Sequence, residues 1–397
     1  MTKVLTGGTQ GRRVAVAMSG GVDSSVAAAL LVEQGYEVIG MTMNLWPSWL
    51  PQEEGATRTC CGLSAIEDAR AVCRKLGIRH YVLNMREAFQ EGVIEPFSRE
   101  YIRGRTPNPC ILCNRVIKFE VLLSKVRGLG MDFLATGHYA RVTYDGKRGR
   151  YLLLRGKDRQ KDQSYVLFGL TQNQLPYVLF PLGEWTKEEV RAYARRLGLP
   201  VADKPDSQEI CFVPRGNYTE VIRLLHPEGM KPGPILDLEG REIGQHQGIA
   251  RYTVGQRRGL GLAMGKPMYV VEVDPERNAV IVGPEEALTR ETILAEEVNW
   301  IAIDALVEEM EVTARIRHAG QEVPARLVPI PGREDQVLVQ FSTPVRAPTP
   351  GQAIVFYDGE VIVGGGTISR LPDRLCAILH GPSARREESL STSARAT

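Results

Sequence analysis

The run VAVAMSGGVDSSVAAALLVEQG (14–35) constrains this chain more than any other: a short apolar strand, a turn of glycines and serines around one aspartate, and a helix closed by Gly35. Glycine lets the backbone turn tightly beside an anion, whose oxygens then meet the free N–H groups and positive dipole end of the helix. The loop lacks the lysine and the GxxxxGK[ST] spacing of γ-phosphate transfer, and it is not GxGxxG. The strand–helix alternation then continues. YEVIGMTM (36–43) reads as a strand, Ser64 and Glu67 as a capping box opening a helix to Gly77, and HYVLNM (80–85) as the third strand. A helix at 86–103, the cysteine loop, a helix at 116–126 and a strand at 132–138 follow. This order predicts an α/β fold with a parallel sheet covered on both faces. Ligands then sit beyond the carboxyl ends of the strands, where loops 19–24, 43–62 and 137–139 gather.

At 397 residues the chain exceeds what one core sustains, roughly 250 residues, so it divides into domains. Thr186 with Glu189 opens a last capped helix ending near Pro200. Beyond residue 211, glycine and proline become frequent, and short alternating runs such as PMYVVEV, QVLVQF and EVIVGGGTI take over. The expected division is a catalytic domain at 11–210, a small central domain at 211–290, a β-barrel at 293–372 and a disordered polar tail at 373–397. The 49 basic and 47 acidic residues nearly cancel, so any nucleic-acid site must be local. The basic clusters at 251–258 and 315–318 read as solvated faces when taken alone. No apolar run approaches the ~20 residues of a membrane span, no apolar segment follows the basic N-terminus, and a cytoplasmic monomer is expected.

Seven cysteines do not suggest a disulfide framework. Cys73 reads as core, and Cys60, Cys61 and Cys376 as packing or idle thiols. In TPNPCILCNRVIKF (106–119), Cys110 and Cys113 stand three apart ahead of a helix-like segment. A closed zinc site would need a second pair of ligands, which the sequence lacks; a redox pair and two sulfur-handling thiols both remain open.

SGGVDS resembles the pyrophosphate loop of the ATP pyrophosphatase superfamily, which cleaves ATP to AMP and pyrophosphate while adenylating a substrate oxygen. Together with TPNPCILCNRVIKF, ATGHYAR (135–141), KDQSY (161–165), DSQEICF (206–212), YTVGQRRGLG (252–261) and TPGQAIVFYDGEVIVGGGTI (349–368), it resembles the tRNA-specific 2-thiouridylase family, from Val14 to Ile368 in the family's order. The resemblance implies sulfur transfer to C2 of the wobble uridine in tRNAs for lysine, glutamate and glutamine. It also implies ATP and Mg2+ as cofactors, and a cysteine desulfurase or sulfur carrier as partner. By the same resemblance, Cys113 matches the nucleophile and Cys211 the persulfide carrier, joined in a transient disulfide. Ala17, Met18, Ser19, Gly20, Gly21, Val22, Asp23, Ser24, Met43 and Gly137 match ATP-binding positions. Asn108, Pro109 and Cys110 match the turn that meets the target base. His138, Lys161, Asp162, Gln163, Arg317, His318 and Gln352 match tRNA-contacting positions.

Cys110 stands where some members carry Asp. Together with Cys113 and Cys211 it supplies enough thiolates for an iron–sulfur cluster with one open iron, an alternative to persulfide relay. A different adenylating synthetase acting on a small molecule would share SGGVDSS but would not need the paired thiols.

Overall fold

The computed structural model describes residues 9–47, 49, 63–206, 210–213, 217–262, 265–372 and 375. Cys60, Cys61, Cys376, most of loop 43–62 and all of the polar tail except Leu375 lie outside them.

Five parallel strands form the first sheet, in the order Arg79–Asn84, Glu37–Asn44, Arg13–Ala17, Phe133–Ala135, Val178–Leu179. Arg13–Ala17 lies between neighbours on opposite sides, Val14 pairing with both Val38 and Phe133. The chain order therefore reverses at this strand, and its carboxyl end opens on the crevice where such sheets bind ligands.

Helices cover both faces. Val14 and Val16 point into a core with helices Val22–Glu33 and Lys187–Arg196, whereas Ala15 and Met41 point into a larger one with the helical segments 86–102 and 109–128. Val22–Glu33 is buried along nearly its whole length, which explains its Ala, Val and Leu content and lack of a polar face. The Thr186 capping box forms as expected, but the helix expected to begin at Ser64 already includes Leu63.

The cysteine pair is not in a loop. Pro109 takes the first helical position, Asn108 caps it, and the helix runs through both Cys110 and Cys113 to Gly128. Met43 closes the strand beside the crevice and packs on the larger core.

The central domain is a four-stranded sheet in the order Tyr269–Asp274, Ala279–Gly283, Gly233–Leu236, Glu242–His246. Six antiparallel strands between Thr289 and Ser369 then close into a barrel, the first pairing with the last through Leu294 and Ser369. The sheet does not stop at the barrel. A hairpin from the first domain, Ala140–Asp145 with Arg150–Arg155, joins it through Leu154 and Val361. Beside this junction Glu322 takes both terminal nitrogens of the buried Arg155 and one of Arg315.

Candidate active site

The loop after Arg13–Ala17 is shaped by close approach. Gly20 has φ +67°, and a Cβ there would lie 2.4 Å from the Ala65 carbonyl oxygen; one on Gly137 would lie 2.6 Å from the Ser24 nitrogen. Only glycine lets loop 136–138 rest on the first turn of helix Val22–Glu33. Within the loop the Ser19 backbone N–H donates to Ser24 Oγ at 3.2 Å, and the Ser19 and Ser24 hydroxyls lie 3.2 Å apart. Ala17, Met18, Gly21 and Val22 complete the same turn. The result is an anion cradle at a helix N-terminus, with two hydroxyls on its rim.

A charged cluster lies at its edge. Lys187 Nζ is 2.8 Å from both carboxylate oxygens of Asp23 and 2.8 Å from Asp206 Oδ1. The Tyr139 hydroxyl also donates to Asp23, at 2.8 Å. Burial first, and the Asp23 charge second, push the Tyr139 phenol up, so it stays a donor. Asp206 accepts from Arg191 at 3.0 Å and from Lys161 at 2.9 Å. Burial opposes ionisation of Asp206, but hydrogen bonds from Lys187 and Lys161 outweigh it and hold its pKa down to about 2. Lys204 donates to the Gly20 carbonyl at 3.1 Å and pairs with Asp68 at 2.6 Å.

Lys187, Asp206 and Lys204 are site residues that sequence reasoning missed. One signal was present: Lys187 is the first residue of its helix, where the dipole disfavours a cation, so a carboxylate partner was to be expected.

Both predicted sulfur cysteines are half-buried against the larger core, on segments that pack on the helical stretch 86–102. The Cys113 helix seats Val116 over Gly92, where an added Cβ would come within 2.8 Å. Phe212, next to Cys211, sets its ring edge-on to Phe89 and Phe97 at 5.7 and 5.2 Å. Cys110 is exposed, and its N–H donates to Asn108 Oδ1 at 3.0 Å. Among the described residues no three of His, Cys, Asp and Glu gather as a metal would require.

The barrel grips the segment leading to these cysteines. Thr106 N–H donates to the Pro350 carbonyl at 2.8 Å, and the Gln352 side chain donates to the Thr106 carbonyl at 2.7 Å. Gly351 has φ +90°, and a Cβ there would lie 2.9 Å from Arg105 Cβ. Arg105 also bonds Glu296 of the barrel at 2.7 Å. The TPGQ turn is thus shaped to hold Arg105 and Thr106. A cavity of 310 Å³ opens beside it, lined by Thr106, Thr253, Arg317, Arg346 and Gln352 among others.

The remaining expected tRNA-contact residues differ in setting. Lys161 is partly exposed at the charged cluster. Arg317 donates to the Arg346 and Ala347 carbonyls, and burial and the Arg346 charge lower its pKa. His318 sets its ring against Tyr165 at 5.7 Å. Three others serve the local frame. His138 is buried, 2.6 Å from Thr136 Oγ1, and burial together with Lys118 keeps its ring well below the usual histidine range. Asp162 is buried and accepts from the Gly156 and Ser164 N–H groups and the Ser164 hydroxyl. Gln163 accepts from the Tyr139 N–H at 3.0 Å.

These features define a three-part protein: an α/β domain with an anion cradle at its switch point, a small β domain and a β-barrel that reaches back to the first domain's cysteine helix. The sequence profiles agree with this division. Residues 12–215 match the one described as tRNA methyl transferase HUP domain, 224–284 the tRNA methyl transferase PRC-barrel domain, and 290–368 the aminomethyltransferase beta-barrel domain. Over 361 residues the chain is 54% identical to tRNA-specific 2-thiouridylase MnmA of Pelotomaculum thermopropionicum, covering 91% of this chain and 98% of that protein. It is 56% identical to the MnmA proteins of Heliobacterium modesticaldum (90% of this chain, 92% of that one) and Moorella thermoacetica (89% and 98%). The chain belongs to the tRNA-specific 2-thiouridylase family. No described helix is long and apolar enough to cross a membrane.

Proposed function

We propose that this chain is an ATP-dependent tRNA uridine 2-sulfurtransferase, acting on the wobble uridine of lysine, glutamate and glutamine tRNAs. The observation that carries the reading is the SGGVDSS cradle at the sheet's switch point, in a chain whose relatives are named for thiolating tRNA. Methyl transfer, the word in two profile descriptions, needs no ATP cleavage and would leave that cradle without a task.

The uridine O2 attacks the α-phosphorus of ATP, and pyrophosphate leaves into the cradle of Ser19–Ser24. Lys187 is placed to meet the charge that builds on the departing oxygens. Asp23, one carboxylate beside the phosphates, fits Mg2+, which binds through one or two carboxylates plus substrate phosphate and would offset that charge.

O2-adenylation opens C2 to a nucleophile. The terminal sulfur of a Cys211 persulfide, loaded by a cysteine desulfurase or sulfur carrier, bonds to C2, and AMP leaves. The Cys113 thiolate then attacks Cys211 Sγ. The sulfur–sulfur bond breaks, 2-thiouridine departs, and a Cys113–Cys211 disulfide remains for a thiol reductant to reopen. The target base must leave its stack to react, and the Asn108–Cys110 turn receives it. Lys161, Arg317 and His318 hold the tRNA backbone as cations or donors, as part of a monomer bound to one tRNA in the cytoplasm.

The test is tRNA-dependent AMP formation together with 2-thiouridine detection by mass spectrometry, for wild type and Asp23→Ala. The variant is expected to lose both products; thiolation that survives would remove ATP activation from the account.

A further inference from the structure

We propose that Lys118 is a catalytic residue that binds the α-phosphate of ATP where the uridine O2 attacks it. The inference deepens the thiolation reading and rests on its adenylation step.

The lysines of the charged cluster all face carboxylates: Lys187 meets Asp23 and Asp206, Lys161 meets Asp206, and Lys204 meets Asp68. Lys118 is partly buried and differs. Its Nζ donates to Asn114 Oδ1 at 2.8 Å and lies 3.5 Å from His138 Nε2, and among the described residues no carboxylate pairs with it. Both partners are themselves held. Asn114 is buried and donates its amide to the Val166 carbonyl at 3.0 Å. His138, kept neutral by burial and by the Lys118 charge, sets its other ring nitrogen 2.6 Å from Thr136 Oγ1. The ammonium is thus fixed by two neutral groups, and no described residue supplies its counter-charge. Taking a cation out of water without an anion costs free energy, which an anionic substrate arriving at Nζ would offset.

The surroundings of Lys118 select which anion. His138 follows Gly137, whose close approach to Asp23 and Ser24 rests loop 136–138 on the first turn of helix Val22–Glu33. On its other side, the helix from Cys113 to Leu122 is wound in wide π turns of the i→i+5 kind, so Lys118 stands one such turn beyond Cys113. The ammonium therefore lies between the phosphate cradle and the sulfur-handling helix. With the pyrophosphate end of ATP in the cradle, the next phosphate toward the nucleoside is the α-phosphate, and O2 must reach it from the side of the cysteine helix. Attack builds negative charge on the non-bridging α-oxygens, and a fixed lysine donor meets it. Lys118 gives up no proton. It remains an ammonium while the O2–phosphorus bond forms and the bond to pyrophosphate breaks.

The experiment compares wild type, Lys118→Gln and Lys118→Arg as full chains. Gln keeps a donor for Asn114 and removes the charge; Arg keeps the charge. Calorimetry measures binding of magnesium α,β-methylene ATP, magnesium pyrophosphate and adenosine, and filter binding measures an unmodified tRNA transcript across a salt series. Lys118→Gln is expected to weaken the ATP analogue by about tenfold or more, the effect of losing one hydrogen bond from a charged group. Pyrophosphate and adenosine should stay within about twofold, because they lack the α-phosphate. Lys118→Arg should recover most of the analogue's affinity. Equal affinity for the analogue in wild type and Lys118→Gln would overturn the inference. So would a matching loss for pyrophosphate, which would put Lys118 in the cradle. A tRNA salt slope lower by about one, with analogue binding intact, would assign the lysine to a tRNA phosphate instead.

Should Lys118→Gln fold poorly, the wild type decides alone. Acetylation of Lys118 by acetic anhydride, followed by peptide mass spectrometry, should slow severalfold under the analogue and not under pyrophosphate or adenosine; no protection by the analogue would sink the assignment. Binding and labelling need no turnover. A wild type that binds the analogue but forms no AMP with tRNA would remove the thiolation reading, and the α-phosphate contact would still stand or fall on these two readouts.

Discussion

Lys187 holds both carboxylate oxygens of Asp23 at 2.8 Å, in a setting where only 11% of the lysine side chain is exposed. The cation lies against the helix dipole of its own first turn, so its place is explained by the anions around it. Replacing Lys187 by Met removes the charge and leaves Asp23 with the Tyr139 hydroxyl. AMP formation is expected to fall by about 10²-fold, the usual effect of losing one donor aimed at developing charge. Affinity for tRNA should stay near wild type in filter binding.

The barrel's TPGQ turn sets the entry to the cysteine helix, so changes there should be felt at Cys113, further along the same segment. Gln352→Ala deletes the bond to the Thr106 carbonyl and should cost about 1 kcal/mol of stability. Gly351→Ala should do more harm, because the new methyl meets Arg105 Cβ at 2.9 Å with the backbone at φ +90°. Thiolation assays should show both variants lowering kcat for 2-thiouridine. The KM for ATP should be unchanged, because the phosphate cradle lies elsewhere.

Glu322 joins the first domain's hairpin to the barrel through Arg155 and Arg315. Burial works against its charge, but the Arg155 hydrogen bond and charge prevail and lower its pKa to about 2. Its folded value lies below the unfolded one, so the stabilisation is complete above the ordinary glutamate range and is lost as pH falls toward 2. Glu322→Gln leaves Arg155 buried without its carboxylate. It should cost about 2–3 kcal/mol near neutral pH, less than a fully enclosed pair, because Glu322 is partly exposed. Thermal melts between pH 7 and 3 should show wild type losing stability faster than the variant, the two curves converging in acid.

The two sulfur cysteines are separable by what accumulates. With a persulfide donor, Cys211→Ser should give no 2-thiouridine. Cys113→Ser should instead trap tRNA on the protein through the Cys211 sulfur, visible on a denaturing gel and released by dithiothreitol. Equal residual activity in the two variants would contradict the assigned order of events.

The parallel sheet and the phosphate loop were legible because strand–turn–helix periodicity is local, and the glycines that allow close approach are visible as letters. What escaped was made by distance. Val178–Leu179 is a two-residue strand with no pattern to read, and the hairpin at 140–155 gives no local sign that it extends the barrel. Pro109 read as a loop stiffener, although at the first turn of a helix it is well tolerated, and the cysteines proved helical. The charged cluster unites Asp23, Lys161, Lys187 and Asp206 from four separate segments, so no single window reveals it. Gln352 carried a site assignment, yet its bond to the Thr106 carbonyl depends on the barrel docking against the first domain.

The most direct measurement is the product of one reaction: an unmodified lysine tRNA transcript, the purified chain, magnesium, ATP labelled in the α-phosphate, and a persulfide donor. The account predicts 2-thiouridine at the wobble position and AMP formed one for one with it, neither appearing without tRNA and neither with Asp23→Ala. Thiolation without AMP, or AMP released at the same rate with no tRNA present, would contradict it.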